Sequence, residues 1–80
     1  MKELTYEQVE QVINRHDPLG LLAMGAPRDE YRSEIEVLVT RRNRGNSVLS
    51  WQEIRTVFEY WFYPGCISDE TAMAIEQELR

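Results

Sequence analysis

The sequence predicts an all-α fold, a small single-domain bundle of four main helices plus a short helical turn. Three observations support this prediction. Apolar residues recur at helical spacing in four segments, turn signals separate these segments, and no segment alternates apolar and polar residues as a half-buried strand does. With 80 residues, of which 42% are hydrophobic and 29% charged, the chain has the composition of one globular domain spanning residues 1–80.

The first helix is expected to begin at Thr5. Thr5 and Gln8 have the spacing of a capping box, in which each side chain accepts a hydrogen bond from the backbone N–H of the other residue. The apolar residues that follow recur at helical spacing: Tyr6, Val9, Val12 and Ile13. Because the residue before a proline is pushed out of the helical conformation, Asp17-Pro18 predicts that this helix ends by His16.

Asp17-Pro18 is also a signal for the start of a second helical segment. Asp17 is able to cap a helical turn, and Pro18 suits the first helical position because its missing N–H is not needed there. We therefore expect a short helical turn over residues 19–22, stopped by Gly25-Ala26-Pro27.

The third helix is expected over about residues 33–44. Its apolar stripe is Ile35, Leu38 and Val39, and Arg42 lies one turn further on. Three arginines lie at its C-terminal end: Arg41, Arg42 and Arg44. A favourable interaction with the helix dipole is the preferred explanation for them, and contact with phosphate groups is the alternative. Gly45 is the expected C-cap, and Asn46-Ser47 the loop that follows.

The fourth helix has the clearest start signal in the chain. Ser50 and Glu53 form a second capping box, and Leu49 with Ile54 has the spacing of a hydrophobic staple. The predicted buried face is Ile54, Val57, Phe58, Trp61 and Phe62. Pro64-Gly65 is expected to end this helix. A last helix is expected from Ser68 or Asp69, with its inward residues at Ala72, Ile75 and Leu79.

The charge and cysteine content restrict the classes of partner. The formal net charge of −5 disfavours nucleic acid and anionic membranes, and it suits a basic protein partner. The single cysteine allows no intramolecular disulfide, which fits a reducing compartment. The N-terminus lacks the apolar core of a signal peptide, and no apolar run approaches the length of a membrane span. We expect a cytoplasmic protein.

Few residues suit catalysis or metal binding. The only histidine, His16, stands beside Asp17, but metal sites built on such a pair need further histidines. Cys66 has no indicated general base to activate it. The acidic residues lack the spacing of a calcium loop, and no phosphate-binding loop or nucleophile motif occurs. The sequence predicts no enzyme, no cofactor, no metal site and, without a basic recognition helix, no DNA-binding module.

Two groups of residues are candidates for partner binding. The first is acidic: Asp29, Glu30, Glu34 and Glu36. An acidic helix start on a solvated face explains this group, and an electronegative docking patch is the alternative. The second group is Tyr60 and Tyr63, which flank the inward-facing Trp61 and Phe62. Core or boundary packing is the default for both tyrosines, and a binding or dimerisation patch is the alternative.

Two motifs precede the third helix. The first is Asp17-Pro18-Leu19-Gly20, and the second is Asp29-Glu30-Tyr31. Together with Ser50-x-x-Glu53-Ile54 they resemble the YugE-like family of small bacterial helical proteins of unknown function, over residues 9–62. The chain departs from that pattern at His16, where a tryptophan is expected, and at Arg32-Ser33, where an Asp-Pro-like helix start is expected. The resemblance implies a small helical fold, no catalytic residues and an immunity role against a toxin.

The residues of the motifs also have a physical interpretation as a structural corner. We expect Asp17 and Pro18 to fix a sharp bend and Gly20 to allow a close backbone approach. Asp29 and Glu30 are expected to satisfy backbone donors, with Tyr31 closing over the corner as a partly buried hydrogen-bonding aromatic.

Two functional hypotheses follow from these patterns. The first is a protein-binding module, most concretely an immunity or antitoxin-like inhibitor whose acidic residues form a charged rim around tyrosine anchors. The second is a structural or regulatory homo-oligomer that uses the aromatic fourth helix as a self-complementary face.

Overall fold

Residues 3–44 and 49–80 form four α-helices, as the sequence predicts. The computed structural model describes residues 3–44 and 49–80, and within these ranges no residue belongs to a β-strand. The helices are α1 (Tyr6–His16), α2 (Arg32–Arg44), α3 (Trp51–Trp61) and α4 (Asp69–Glu78). The predicted C-cap Gly45 and the loop Asn46-Ser47 lie outside the described residues.

Both predicted capping boxes are confirmed. At the start of α1, the Gln8 N–H donates to Thr5 Oγ1 over 3.1 Å and the Thr5 N–H donates to Gln8 Oε1 over 2.9 Å. At the start of α3, Glu53 N–H donates to Ser50 Oγ over 3.1 Å and Ser50 N–H donates to Glu53 Oε1 over 3.4 Å. Each box satisfies two backbone donors that a helix start leaves free, so these boundaries are set by local chemistry.

The helices surround one hydrophobic core. α1 packs against α2 and α4, and α3 packs against the same two helices, so that the four elements close a ring. All four helices and the segments next to them contribute buried side chains, the largest of which are Tyr31, Phe58, Ile13, Ile35, Leu38, Ile54, Ile75, Leu79 and Val9. The ring also closes at its surface, because the carboxylate of Glu78 in α4 contacts both Arg15 and His16 at the end of α1.

The segment after α1 differs in detail from the expected short helical turn over residues 19–22. It is a series of hydrogen-bonded turns, and its one α-type bond joins Met24 N–H to the carbonyl of Gly20 over 3.2 Å. Gly20 itself has a φ of 72°, a left-handed conformation that cannot continue a right-handed helix. The single turn therefore begins after Gly20 instead of running through it.

One residue of the predicted inward faces lies elsewhere. Trp61 is 47% exposed, whereas the sequence placed it in the buried stripe of α3. α3 ends at Trp61, and Phe62 beyond it makes an edge-to-face contact with Tyr31, with ring centroids 6.4 Å apart. Phe62 thus fills the end of the core, and Trp61 remains at its margin. Conversely, Arg42 is buried, and its Nε donates to the carbonyl of Leu79 over 3.3 Å.

Replacing Ser50 with alanine tests the local origin of the α3 boundary. Ser50→Ala removes the acceptor for Glu53 N–H, and we expect the free energy of unfolding to fall by about 1 kcal/mol. Chemical denaturation followed by circular dichroism measures this change. Gln52→Ala, on an exposed neighbour, is the control and should change stability by less than about 0.5 kcal/mol. Equal effects of both substitutions would contradict a capping role for Ser50.

Candidate binding surface

The two sequence motifs meet at a hydrogen-bonded centre formed by Asp17 and Tyr31. Tyr31 Oη donates to Asp17 Oδ1 over 2.7 Å. The same carboxylate accepts the backbone N–H of Leu22 at 3.0 Å and of Ala23 at 2.9 Å. Tyr31 Oη in turn accepts the N–H of Leu19 at 3.1 Å. This centre ties the end of α1 and the turns after it to the start of α2.

The charges of this centre are fixed at neutral pH. Burial acts to raise the pKa of Asp17, but the hydrogen bonds from Tyr31, Leu22 and Ala23 outweigh burial, so that the pKa lies below its usual value. Burial and the hydrogen bond to Asp17 raise the pKa of Tyr31 to about 12. The proton therefore stays on the phenol and the carboxylate stays ionised. A pair with pKa values this far from neutrality is suited to holding structure, not to proton transfer.

The backbone explains why the first motif has its residues. Asp17 has a φ of 47°, a left-handed conformation that aspartate tolerates better than most residues, and its N–H caps α1 by donating to the carbonyl of Ile13 over 2.8 Å. Gly20 also has a positive φ, but a Cβ placed on it would meet nothing within 4 Å. The expectation that Gly20 allows a close backbone approach is therefore wrong, and its role is conformational.

The structure separates the four residues of the acidic candidate group. Asp29, Glu30 and Glu36 are exposed, whereas Glu34 is only 2% exposed and belongs to the interior side of α2. Glu34 is therefore not part of an exposed charged rim. In the part of the chain that the structure describes, no side-chain hydrogen bond joins Asp29 or Glu30 to a backbone donor, so the expected role of these two carboxylates is not observed.

Glu34 is an unusual buried acid. Its Oε1 has no hydrogen-bond partner among the described residues. Burial raises the pKa of Glu34, and the neighbouring charge of Glu30 raises it further, while the hydrogen bond from its own backbone N–H acts in the opposite direction. An ionised carboxylate at this position is less stable in the folded chain than in water, so Glu34 weakens the fold at neutral pH.

The exposed carboxylates lie around the start of α2. Glu36 pairs with Arg32 over 3.9 Å, one helical turn away. Tyr6, Asp29, Arg32 and Glu36 line a shallow depression of about 270 Å³ between α1 and α2. Because the arginine lies among the acids, this surface is of mixed charge, and it is less electronegative than the sequence alone indicates.

Exposed aromatic side chains gather at the end of α3. Tyr60 is 80% exposed and Tyr63 is 59% exposed, so core packing, the default expectation, does not hold for either. The rings of Tyr60 and Trp61 contact edge to face with their centroids 5.4 Å apart. Exposed aromatic clusters of this kind are typical of protein interfaces, where they bury large area at low entropic cost.

The aromatic side chains border a groove between α2 and α3. The groove is about 210 Å³ in volume, and its wall and floor are Val37, Arg41, Thr56, Val57, Tyr60 and Trp61. It continues along α2 into a depression of about 390 Å³ lined by Ser33, Glu36, Val37, Thr40, Arg41, Arg44 and Trp61. We call these two depressions, which share Val37, Arg41 and Trp61, the α2/α3 groove. Its apolar floor and polar rim provide the features of a binding surface.

Sequence reasoning did not find most of this groove. Of its lining residues, Glu36 and Tyr60 are binding candidates from the sequence, whereas Arg41 is interpreted there as a helix-end charge. The sequence does not indicate Val37 as a binding residue, and it predicts that Trp61 is buried. The signal available in the sequence was the outward ridge of α2, since Ser33, Val37 and Arg41 follow each other at intervals of four residues. That spacing identifies a ridge, but only the tertiary structure places the aromatic end of α3 beside it.

Among the described residues, no three His, Cys, Asp or Glu side chains form a group able to hold a metal ion. Cys66 is buried. Burial and the adjacent Arg15 lower the pKa of His16, whose Nε2 contacts the Glu78 carboxylate. Within the described ranges, none of the helices is long and apolar enough to cross a membrane.

Comparison with known proteins adds no relative. The chain matches no protein-family model, and neither a curated protein nor a solved structure is significantly similar to it. The resemblance to the YugE-like family therefore stays a prediction, and functional inference rests on the surface itself.

Replacing Tyr31 with phenylalanine tests the Asp17–Tyr31 centre. Tyr31→Phe removes a donor from the carboxylate and leaves Leu19 N–H without its acceptor, so we expect unfolding free energy to fall by about 2 kcal/mol at pH 7. Because the folded pKa of Asp17 lies below its unfolded value of 3.8, its contribution is present above that pH and is lost as the pH falls through the folded pKa. In Tyr31→Phe, the free energy of unfolding should therefore also fall less steeply as the pH is lowered.

The matched control for that experiment is Tyr6→Phe. Tyr6 is half-buried, and within the described residues no hydrogen bond involves its hydroxyl group. Removing that hydroxyl should change stability by less than about 0.5 kcal/mol. Urea denaturation between pH 2 and 7, values chosen to bracket the titration of carboxylates, compares the variants. An unchanged acid profile in Tyr31→Phe would contradict the role given to the pair.

Replacing Glu34 with glutamine should stabilise the chain at neutral pH. A folded pKa above the ordinary value of 4.5 means that stability is lost as the pH rises through the folded pKa, and the neutral amide removes this loss. We expect the free energy of unfolding of Glu34→Gln to exceed that of the wild type by about 1 kcal/mol at pH 7, and we expect this difference to become smaller as the pH falls. Glu36→Gln, an exposed control, should show no such trend. A destabilised Glu34→Gln at pH 7 would show that the carboxylate has a partner.

Proposed function

We propose that the chain is a non-catalytic protein-binding module whose contact surface is the α2/α3 groove. One observation carries the proposal: Tyr60 and Trp61, two large aromatic side chains, are exposed and contact each other at the border of a groove with an apolar floor. Aromatic side chains of this kind dominate the energetics of protein interfaces, because they bury large area in a defined geometry.

The immunity-like or antitoxin-like role of an inhibitor with a basic partner remains part of this proposal. The net charge of −5 and the exposed carboxylates of Asp29, Glu30 and Glu36 support it, since they favour the approach of a positively charged protein. The idea of a charged rim now rests on these three residues without Glu34. A bacterial origin and a cytoplasmic location belong to the same proposal.

A homo-oligomer is the second candidate. The exposure of Tyr60 and Tyr63 favours it, because two copies could bury these side chains against each other across a two-fold axis. The two candidates differ in the identity of the molecule that covers the end of α3, and this difference is directly measurable.

Site-specific photo-crosslinking in the source cells separates the candidates. A photoreactive phenylalanine analogue replaces Tyr60, and the same analogue at the exposed Gln77 of α4 is the matched control. We expect irradiation to give a discrete heavier species at position 60 and none at position 77, with mass spectrometry identifying the attached chain. Attachment of a different protein supports the binding module, and attachment of a second copy supports the homo-oligomer. Equal or absent products at both positions would contradict both candidates.

A further inference from the structure

The α2/α3 groove is lined by two arginines that form no ion pair among the described residues. Arg41 and Arg44 are exposed and line the groove. Neither forms an ion pair with a described residue, and residues 1–2 and 45–48 contain no Asp or Glu. By contrast, four other exposed or half-buried arginines are paired with carboxylates: Arg15, Arg32, Arg55 and Arg80. Arg28, which is exposed away from the groove, also forms no ion pair with a described residue.

Favourable charge at a helix end does not account for this arrangement by itself. Both arginines are near the C-terminus of α2, where the helix dipole favours cations. However, like charges three residues apart on one helix face repel each other. The helix also turns Arg42 inward, onto the carbonyl of Leu79, while it keeps Arg41 and Arg44 on the ridge that borders the aromatic side chains. Two unpaired guanidinium groups beside an apolar floor are a recognition pattern for a ligand that combines carboxylates with apolar groups.

The shape of the groove indicates an extended polymer ligand. The ridge from Ser33 to Arg44 is about 16 Å long at 1.5 Å per residue, which equals about three turns of a helix. Val37 and Trp61 line both depressions and give the groove an apolar centre, and the lining beyond them along α2 is polar. Glu36, already paired with Arg32, lies toward the opposite end from Arg44. The unpaired positive charge of the groove therefore lies toward the C-terminal end of α2.

We propose that the α2/α3 groove binds an acidic amphipathic segment of a protein partner. Apolar side chains of the segment lie on Val37, Tyr60 and Trp61, and its carboxylates pair with Arg41 and Arg44. This inference rests on the proposed binding function of the groove. It differs from the basic partner that the net charge indicates, because it assigns the chemistry of the ligand from the charges nearest the contact surface.

A displayed library of random 16-residue peptides, selected on the purified wild-type chain, tests this inference without assuming a ligand sequence. We expect the enriched peptides to be acidic and to carry apolar residues at helical spacing. Binding of the enriched peptides, made synthetically and measured by fluorescence anisotropy, should weaken at least about tenfold in Arg41→Glu/Arg44→Glu. Arg28→Glu/Arg80→Glu, the matched control, makes the same change in net charge away from the groove and should leave affinity within about twofold.

A neutral variant guards against loss of folding. Acidic residues at the C-terminal end of α2 oppose the helix dipole, so circular dichroism must show that the reversed variant is folded. If it is not, Arg41→Gln/Arg44→Gln replaces it and should weaken binding about threefold or more. Tyr60→Ala/Trp61→Ala removes the aromatic contacts and should abolish binding while the helices persist.

The outcomes distinguish this inference from the function on which it rests. Basic or uncharged peptides that lose binding in the aromatic variant, but not in the arginine variants, overturn the acidic ligand and leave the binding module standing. Failure to enrich any peptide that depends on Tyr60 and Trp61 overturns both. A concentration-dependent dimer that light scattering detects in the wild type, and that Arg41→Glu/Arg44→Glu dissociates, identifies a second copy as the occupant and also overturns the inference.

Discussion

The hydrogen bond between Tyr31 and Asp17 is the constraint on which the rest of this fold depends. The connection between α1 and α2 is long and irregular, so ordering it costs conformational entropy and leaves backbone N–H groups that need partners. The Asp17 carboxylate accepts two of these groups, from Leu22 and Ala23, and the Tyr31 hydroxyl accepts that of Leu19. A single pair of side chains therefore holds most of the corner.

The same tyrosine connects this corner to the surface. Its ring is fully buried and makes edge-to-face contacts with Phe58 and Phe62, with centroid distances of 5.9 and 6.4 Å. α3 ends at Trp61, Phe62 packs beside Tyr31, and Trp61 stays at the margin of the core, next to Tyr60. The exposed aromatic side chains of the α2/α3 groove are thus a consequence of how the end of the core is filled.

How far the sequence predicts this structure depends on the range of the forces involved. The capping boxes at Thr5 and Ser50 are local, since their partners lie three residues away, and both are predicted correctly. Glu34 and Trp61 lie at the edges of the apolar faces of their helices, and the sequence pattern does not determine how far such a face extends around a helix. Their burial depends on neighbours that are distant in sequence. The groove forms only where α2 and α3 pack side by side, so the sequence indicates the outward residues of each helix but not the groove between them.

Net charge and local charge also act over different ranges at this surface. The overall charge of −5 sets the field that an approaching partner meets, but salt screens that field beyond about 8 Å at physiological ionic strength. At contact, the nearest groups dominate, and in the groove these are Arg41 and Arg44 beside an apolar floor. For an acidic segment the two effects oppose each other, with repulsion on approach and attraction on contact. The arginines then act mainly in selecting the segment, while the aromatic side chains provide most of the affinity.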